Sequence, residues 1–326
     1  GRTAGEIDLE AGAVITVPVR RPIVYIAGLS ANYAGNPPTP TWFGVPATFS
    51  DLSTGTVIDG SAIVGVKPVL MISAGPSLYA IDQDAMSPSG MLVGPASIRA
   101  ISTGDHSMAA QLGGTMTGSV QDGAGSDDGT TLVVGTSSKL FVIDTRAGAA
   151  TPVREIESGN FARVAVVPGP EGTLGAVAIK NRVSTTGACT PNAELWWIAS
   201  TAGEVIDARM IATGGFSDVA SDGGRAYYVD ACKGEFGEAL TTGTKLLRGN
   251  LGKPTALAVS NGQAWIGLER TAPALMALVV VTVDAPNDMP RTLWTEAATQ
   301  VLEATMFTGV QRRLDAVLVR GAQLDA

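Results

Sequence analysis

At 326 residues the chain has room for one large domain or two ordinary ones, and with 45% hydrophobic but only 16% charged residues it can bury a sizeable core. A formal net charge of -8, and no basic run longer than Arg20-Arg21 or Arg312-Arg313, argue against nucleic acid and against an anionic membrane surface as partners. The longest apolar run, residues 274–283, is too short and too valine-rich to span a bilayer and reads as a buried strand.

The first residues supply two strand-like runs, 6–9 and 13–17, that have no obvious sheet of their own. The chain starts at Gly1 with neither an initiator Met nor an apolar leader, which reads as a processed or trimmed start. Residues 35–46 are proline-rich and show no strand alternation, so Trp42 and Phe43 are expected on an exposed loop suited to contact with a partner. A unit of small-residue turn, leucine, apolar or aromatic pair and closing acid then appears at 77–82 and recurs at 139–144. A third copy at 194–200 contains Trp196-Trp197, and a weaker fourth lies at 244–248. A second unit, two apolar strands around a polar turn, occurs at 164–179, 218–229 and 256–267, with Asp-Gly or Asn-Gly chemistry in the last two turns. Only residues 296–306 carry enough Ala, Leu and Glu to suggest a helix.

Together the two units make a four-stranded antiparallel sheet of about 40–60 residues, the period of a propeller blade. The sequence thus predicts an all-β fold, a single β-propeller domain over 1–326 with about seven blades; six or eight would also fit. Blade starts fall near residues 14–26, 61, 98, 161, 216, 254 and 302. The last stretch, 302–326, holds only two clear strands, so residues 1–17 are expected to complete that blade and close the ring. Segments 113–130, 181–192 and 233–244 read as insertions.

Residues 132–148, running Leu-Val-Val-Gly-Thr-Ser-Ser-Lys-Leu-Phe-Val-Ile-Asp-Thr-Arg-Ala-Gly, resemble a repeat of the YVTN and quinoprotein-like propeller superfamily. The likeness implies the architecture alone. The quinone-cofactor enzymes of that superfamily use an adjacent cysteine pair and a metal site, and the two cysteines here stand far apart.

Cys189 and Cys232 lie in polar, Gly-rich stretches beside two of the insertions. They suit one disulfide between neighbouring blades in an oxidising compartment; two free thiols are the alternative. His106 is the one histidine, which rules out a multi-histidine metal site and leaves a Ser-His-Asp triad a single candidate base with no Gly-x-Ser-x-Gly elbow. Asp122, Asp127 and Asp128 cluster in a Gly-rich stretch, where a calcium ion would find oxygen ligands, although the spacing departs from the EF-hand pattern. Asp82 and Asp84 form a weaker copy. No catalytic residue is assigned, and no cofactor is expected other than that calcium ion. The leading expectation is a non-enzymatic extracytoplasmic propeller that binds other protein subunits, as part of a homo- or hetero-oligomeric surface, envelope or filament complex. The alternative is a propeller hydrolase or lyase with a calcium-assisted site in the central channel.

Overall fold

Valine, isoleucine and aromatic runs, cut by Gly, Asn and Asp turns, fold into successive antiparallel meanders. The computed structural model describes residues 23–34, 39–51, 68–75, 77–83, 94–101, 108–146, 153–168, 173–183, 189–201, 204–271, 274–285, 287–297 and 314–319. The described residues begin with the hairpin β1 (Ile23–Ala34) and β2 (Thr39–Asp51). Blade two is β3 (Leu70–Ala74), β4 (Ser77–Gln83), β5 (Ala96–Ile101) and β6 (Met108–Met116). Blade three is β7 (Val120–Gly125), β8 (Thr131–Thr136), β9 (Lys139–Asp144) and β10 (Val153–Ser158). Blade four is β11 (Phe161–Pro168), β12 (Leu174–Lys180), β13 (Ala193–Thr201) and β14 (Glu204–Gly214). Blade five is β15 (Phe216–Asp222), β16 (Arg225–Asp230), β17 (Glu235–Leu240) and β18 (Gly243–Arg248). Blade six is β19 (Lys253–Ser260), β20 (Gln263–Thr271), β21 (Ala274–Thr282) and β22 (Arg291–Ala297). The last strand, β23 (Leu314–Val319), returns to pair with β1, giving a sheet ordered β2-β1-β23.

The chain is an all-β propeller, and its six described sheets stand at the lower end of the expected range. The first strand of each full blade is the innermost: β3, β7, β11, β15 and β19 touch in succession, and β23 lies against β3. In the first sheet the C-terminal strand therefore takes the inner place and the N-terminal hairpin lies outside it. Residues 1–17, expected to do the closing, lie outside the described residues, as do 302–313.

Two expected boundaries move. Ile98 sits on the third strand of blade two, and the stretch read as an insertion from 113 onwards holds the end of β6 and all of β7. β7 escapes an apolar pattern because it must come close to β3. A Cβ on Gly123 would sit 2.5 Å from Ile72 Cδ1, and one on Gly125 would overlap Ala74. Similarly, 233–244 contains β17, and Glu296-Ala297 end a strand.

Blades are apolar on both faces because each face is covered by a neighbour. Leu132, Val133 and Val134 are all fully buried, yet Leu132 and Val134 join Ile72, Ile81 and Ile98 of blade two, while Val133 joins Val164, Val166 and Ala178 of blade four. Tyr228 and Tyr227 divide likewise between blades four and six. Trp197 packs in the layer between blades four and five, and Trp196 against the layer between three and four. The Asn261-Gly262 turn between β19 and β20 has positive φ at both residues (51° and 72°), as a tight hairpin requires.

Phe161 is fully buried in the layer between blades three and four. Phe161→Ala should lower unfolding free energy by about 3–5 kcal/mol in urea titrations; a loss within error would mean the layer re-closes around the missing ring.

Candidate functional site

Four successive inner strands share a β-bulge near their start, between Val120 and Asp122, Phe161 and Arg163, Phe216 and Asp218, and Pro254 and Ala256. The bulge re-aims the residue that follows it, and in blades three to five that residue is charged: Asp122, Arg163 and Asp218. Arg163 Nε is 3.1 Å from Asp218 Oδ1. The amide of Val164 donates to Asp122 Oδ2 at 2.9 Å, and the amide of Leu257 to Asp218 Oδ2 at 2.8 Å. Arg182 extends the cluster, donating from Nε to Ser217 O at 2.5 Å and from Nη2 to Thr255 O at 3.1 Å. The Ser217 hydroxyl donates to Pro254 O. Burial pushes the Asp122 carboxyl up to about 6, against the opposing pull of Arg163 and the Val164 amide. Burial raises Asp218 as well, again against Arg163. Each carboxylate already serves an amide of the next blade, so the cluster is built to hold inner strands together.

A cleft of about 330 Å³ lies between blades three and four at the opposite end of their inner strands. Ser126, Asp128, Thr130 and Arg146 form one wall; Val166, Pro168, Leu174 and Ser200 belong to the other. Asp128 Oδ1 accepts from Ser126 Oγ (2.6 Å), the Thr130 amide and Thr130 Oγ1, which holds its carboxyl below the ordinary range. Asp144 takes the Arg146 guanidinium in a two-bond fork and is lowered in turn.

The three aspartates read as calcium ligands are thus divided. Asp127 and Asp128 line the cleft in the β7–β8 turn, whereas Asp122 is on β7 and committed to blade four. Among the described residues no group of three His, Cys, Asp or Glu is placed to hold a metal ion. Trp42 and Phe43 are on β2, paired with Ala31 and Ser30, and not on a loop. The prolines that hid this strand are tolerated because β2 ends its sheet and because Pro46 falls at the bulge opposite Ile26/Gly28. His106 and Asp84 lie outside the described residues.

Cys189 and Cys232 form a disulfide, with Cα atoms 5.3 Å apart, joining the approach to β13 in blade four to the β16–β17 turn of blade five. Buried Asp230 shapes that turn, accepting from the amides of Gly215, Cys232 and Lys233.

The large exposed apolar side chains among the described residues belong to blades four to six. Ile206 (59% exposed) and Met210 (49%) are on β14, Leu240 and Leu246 (55%) on β17 and β18, and Met289 (91%) in the turn before β22. Hydrogen bonds tie the three blades: Arg209 donates to Thr241 O and Arg248 to Asp288 O. Sequence reasoning missed both these exposed side chains and the inner cluster. The cluster had a signal, since Phe161-x-Arg163 and Phe216-x-Asp218 align once the blade starts are superposed.

No protein-family model and no curated protein matches the chain. Among solved structures it is similar to the periplasmic gluconolactonase of Pseudomonas aeruginosa, at 14% identity over 83% of each chain with a TM-score of 0.50. It also matches a Lactobacillus plantarum protein (13% identity, 86% of this chain and 83% of that one, TM-score 0.49). A third match is Kuenenia stuttgartiensis hydrazine synthase (20% identity, 75% and 74%, TM-score 0.48).

Asp122 holds its proton to higher pH in the folded chain than in the unfolded one. Its stabilising contribution is therefore complete below the ordinary carboxylate range and is lost as pH rises through about 6. Asp128, Asp144 and Glu238, held low by their partners, act in the opposite sense and only in more acidic solution. Unfolding free energy should fall between about pH 4 and about pH 6, by on the order of 3 kcal/mol, and Asp122→Asn should reduce that slope to the part due to Asp218. An unaltered slope in the variant would acquit Asp122. Sequence pattern, sheet order and the likeness to the gluconolactonase structure agree that the chain is a β-propeller.

Proposed function

We propose that this propeller is a protein-binding module of an extracytoplasmic assembly. The observation that carries the reading is the set of large exposed apolar side chains on blades four to six. Side chains such as Ile206, Leu246 and Met289 are costly to leave in water, and exposed apolar surface suits a protein partner. The Cys189–Cys232 disulfide supports the compartment, because such bonds persist where the medium is oxidising. The inner-strand carboxylates, already occupied by amides and Arg163, give the calcium-assisted hydrolase or lyase no support.

Crosslinking of tagged, oxidised protein in an extracytoplasmic fraction tests the reading. Partners should be captured by the wild type and lost from the triple variant Ile206→Glu, Leu246→Glu, Met289→Glu; equal capture by both, or by neither, would overturn it. The compartment has its own check. Reduction of the disulfide, which closes a loop of sequence separation 43, should cost about 4 kcal/mol of stability in urea titrations of oxidised and reduced protein.

A further inference from the structure

The partner for part of this exposed apolar surface is written into β14. With 11 residues it is the longest outer strand of the five four-stranded blades, and it ends its sheet, so one backbone edge is unpaired. It carries Ile206 and Met210, both exposed, together with the charged Glu204, Asp207 and Arg209.

Its sequence around Ala208 reads Val-Ile-Asp-Ala-Arg-Met-Ile, and this order is self-complementary. Place an antiparallel copy beside it with Ala208 facing Ala208. Asp207 then faces Arg209, twice by symmetry, acid against base on either side of the centre. A shift of register by one residue places Asp207 against Ala208 or Ala208 against Arg209 and loses the charge pairing. Within one chain Asp207 and Arg209 already lie 2.9 Å apart, so a second copy completes a square of alternating charges. The bulges at the two ends, opposite Ala199/Ser200 and Leu195/Trp196, confine the regular ladder to the residues around that centre.

We propose that a second copy of this chain pairs edge to edge with β14 about a two-fold axis at Ala208, making the protein a symmetric dimer. The proposal rests on the protein-binding reading and names the occupant of the blade-four part of the exposed apolar surface. Such an interface uses the same patch on both copies, and opposite-charge cross-strand pairs fix its register.

The purified, oxidised protein is tested by size exclusion with light scattering over a concentration series. The wild type should run as a dimer that dissociates on dilution. Asp207→Arg places Arg against Arg209 of the other copy and should weaken association at least tenfold, while leaving the Arg209 bond to Thr241 in place. Arg209→Asp should do the same, and the double swap Asp207→Arg, Arg209→Asp should restore the dimer. Circular dichroism and intact disulfide content certify that each variant is folded. A wild type monomeric throughout the series, or a double swap no better than the singles, overturns the proposal. A monomer that still captures other proteins through the rim would do so without touching the broader reading, which fails only if the rim captures nothing.

Discussion

Neighbouring blades are fastened at their inner edges by a side chain of one blade that occupies a backbone amide of the next. Gln83 Oε1 accepts from the Val120 amide, Asp122 from that of Val164, and Asp218 from that of Leu257. An inner strand has hydrogen-bonding partners on one side only, and a buried amide without an acceptor is expensive. The clips resolve that cost and fix the spacing of the blades together. Everything further out depends on this spacing: the alternating apolar layers, the cleft between blades three and four, and the level at which the outer rims meet.

The polar clips and the apolar layers divide the work. Packing between blades supplies most of the free energy but tolerates sliding, since Val, Leu and Ile surfaces have no direction. The clips are directional. Arg163 illustrates the pattern, reaching from β11 to Asp218 on β15 while Asp122 lies behind it on β7. Further from the axis, Arg225 grips Glu238 of its own blade and Asp284 of the next, and Arg209 and Arg248 do the same for the rim.

Much of the fold was legible because strands and turns are local. Phe161, Phe216 and Pro254 mark three blade starts to within a residue, and the Asn261-Gly262 turn behaves as its chemistry demands. The disulfide was legible too, since both cysteines flank connections of adjacent blades. What failed was anything that depended on a neighbour. β7 looks like a loop until β3 is seen pressing on Gly123 and Gly125. The β2 prolines look like strand breakers until the strand is known to end its sheet. Asp122 sat correctly in an acidic stretch, yet a bulge turned it towards Arg163 and away from Asp127 and Asp128. The exposure of Ile206 and Met210 follows from strand order, which no local pattern records.

The pairing of β23 with β1 also has a meaning in time. β1 is the first described strand and β23 the last, so a long stretch of chain separates them. Blades two to six are each contiguous in sequence and can assemble in turn, whereas the first sheet has to wait, its hairpin holding an open edge until β23 arrives. The ring is therefore sealed late, by the contact that spans the most sequence.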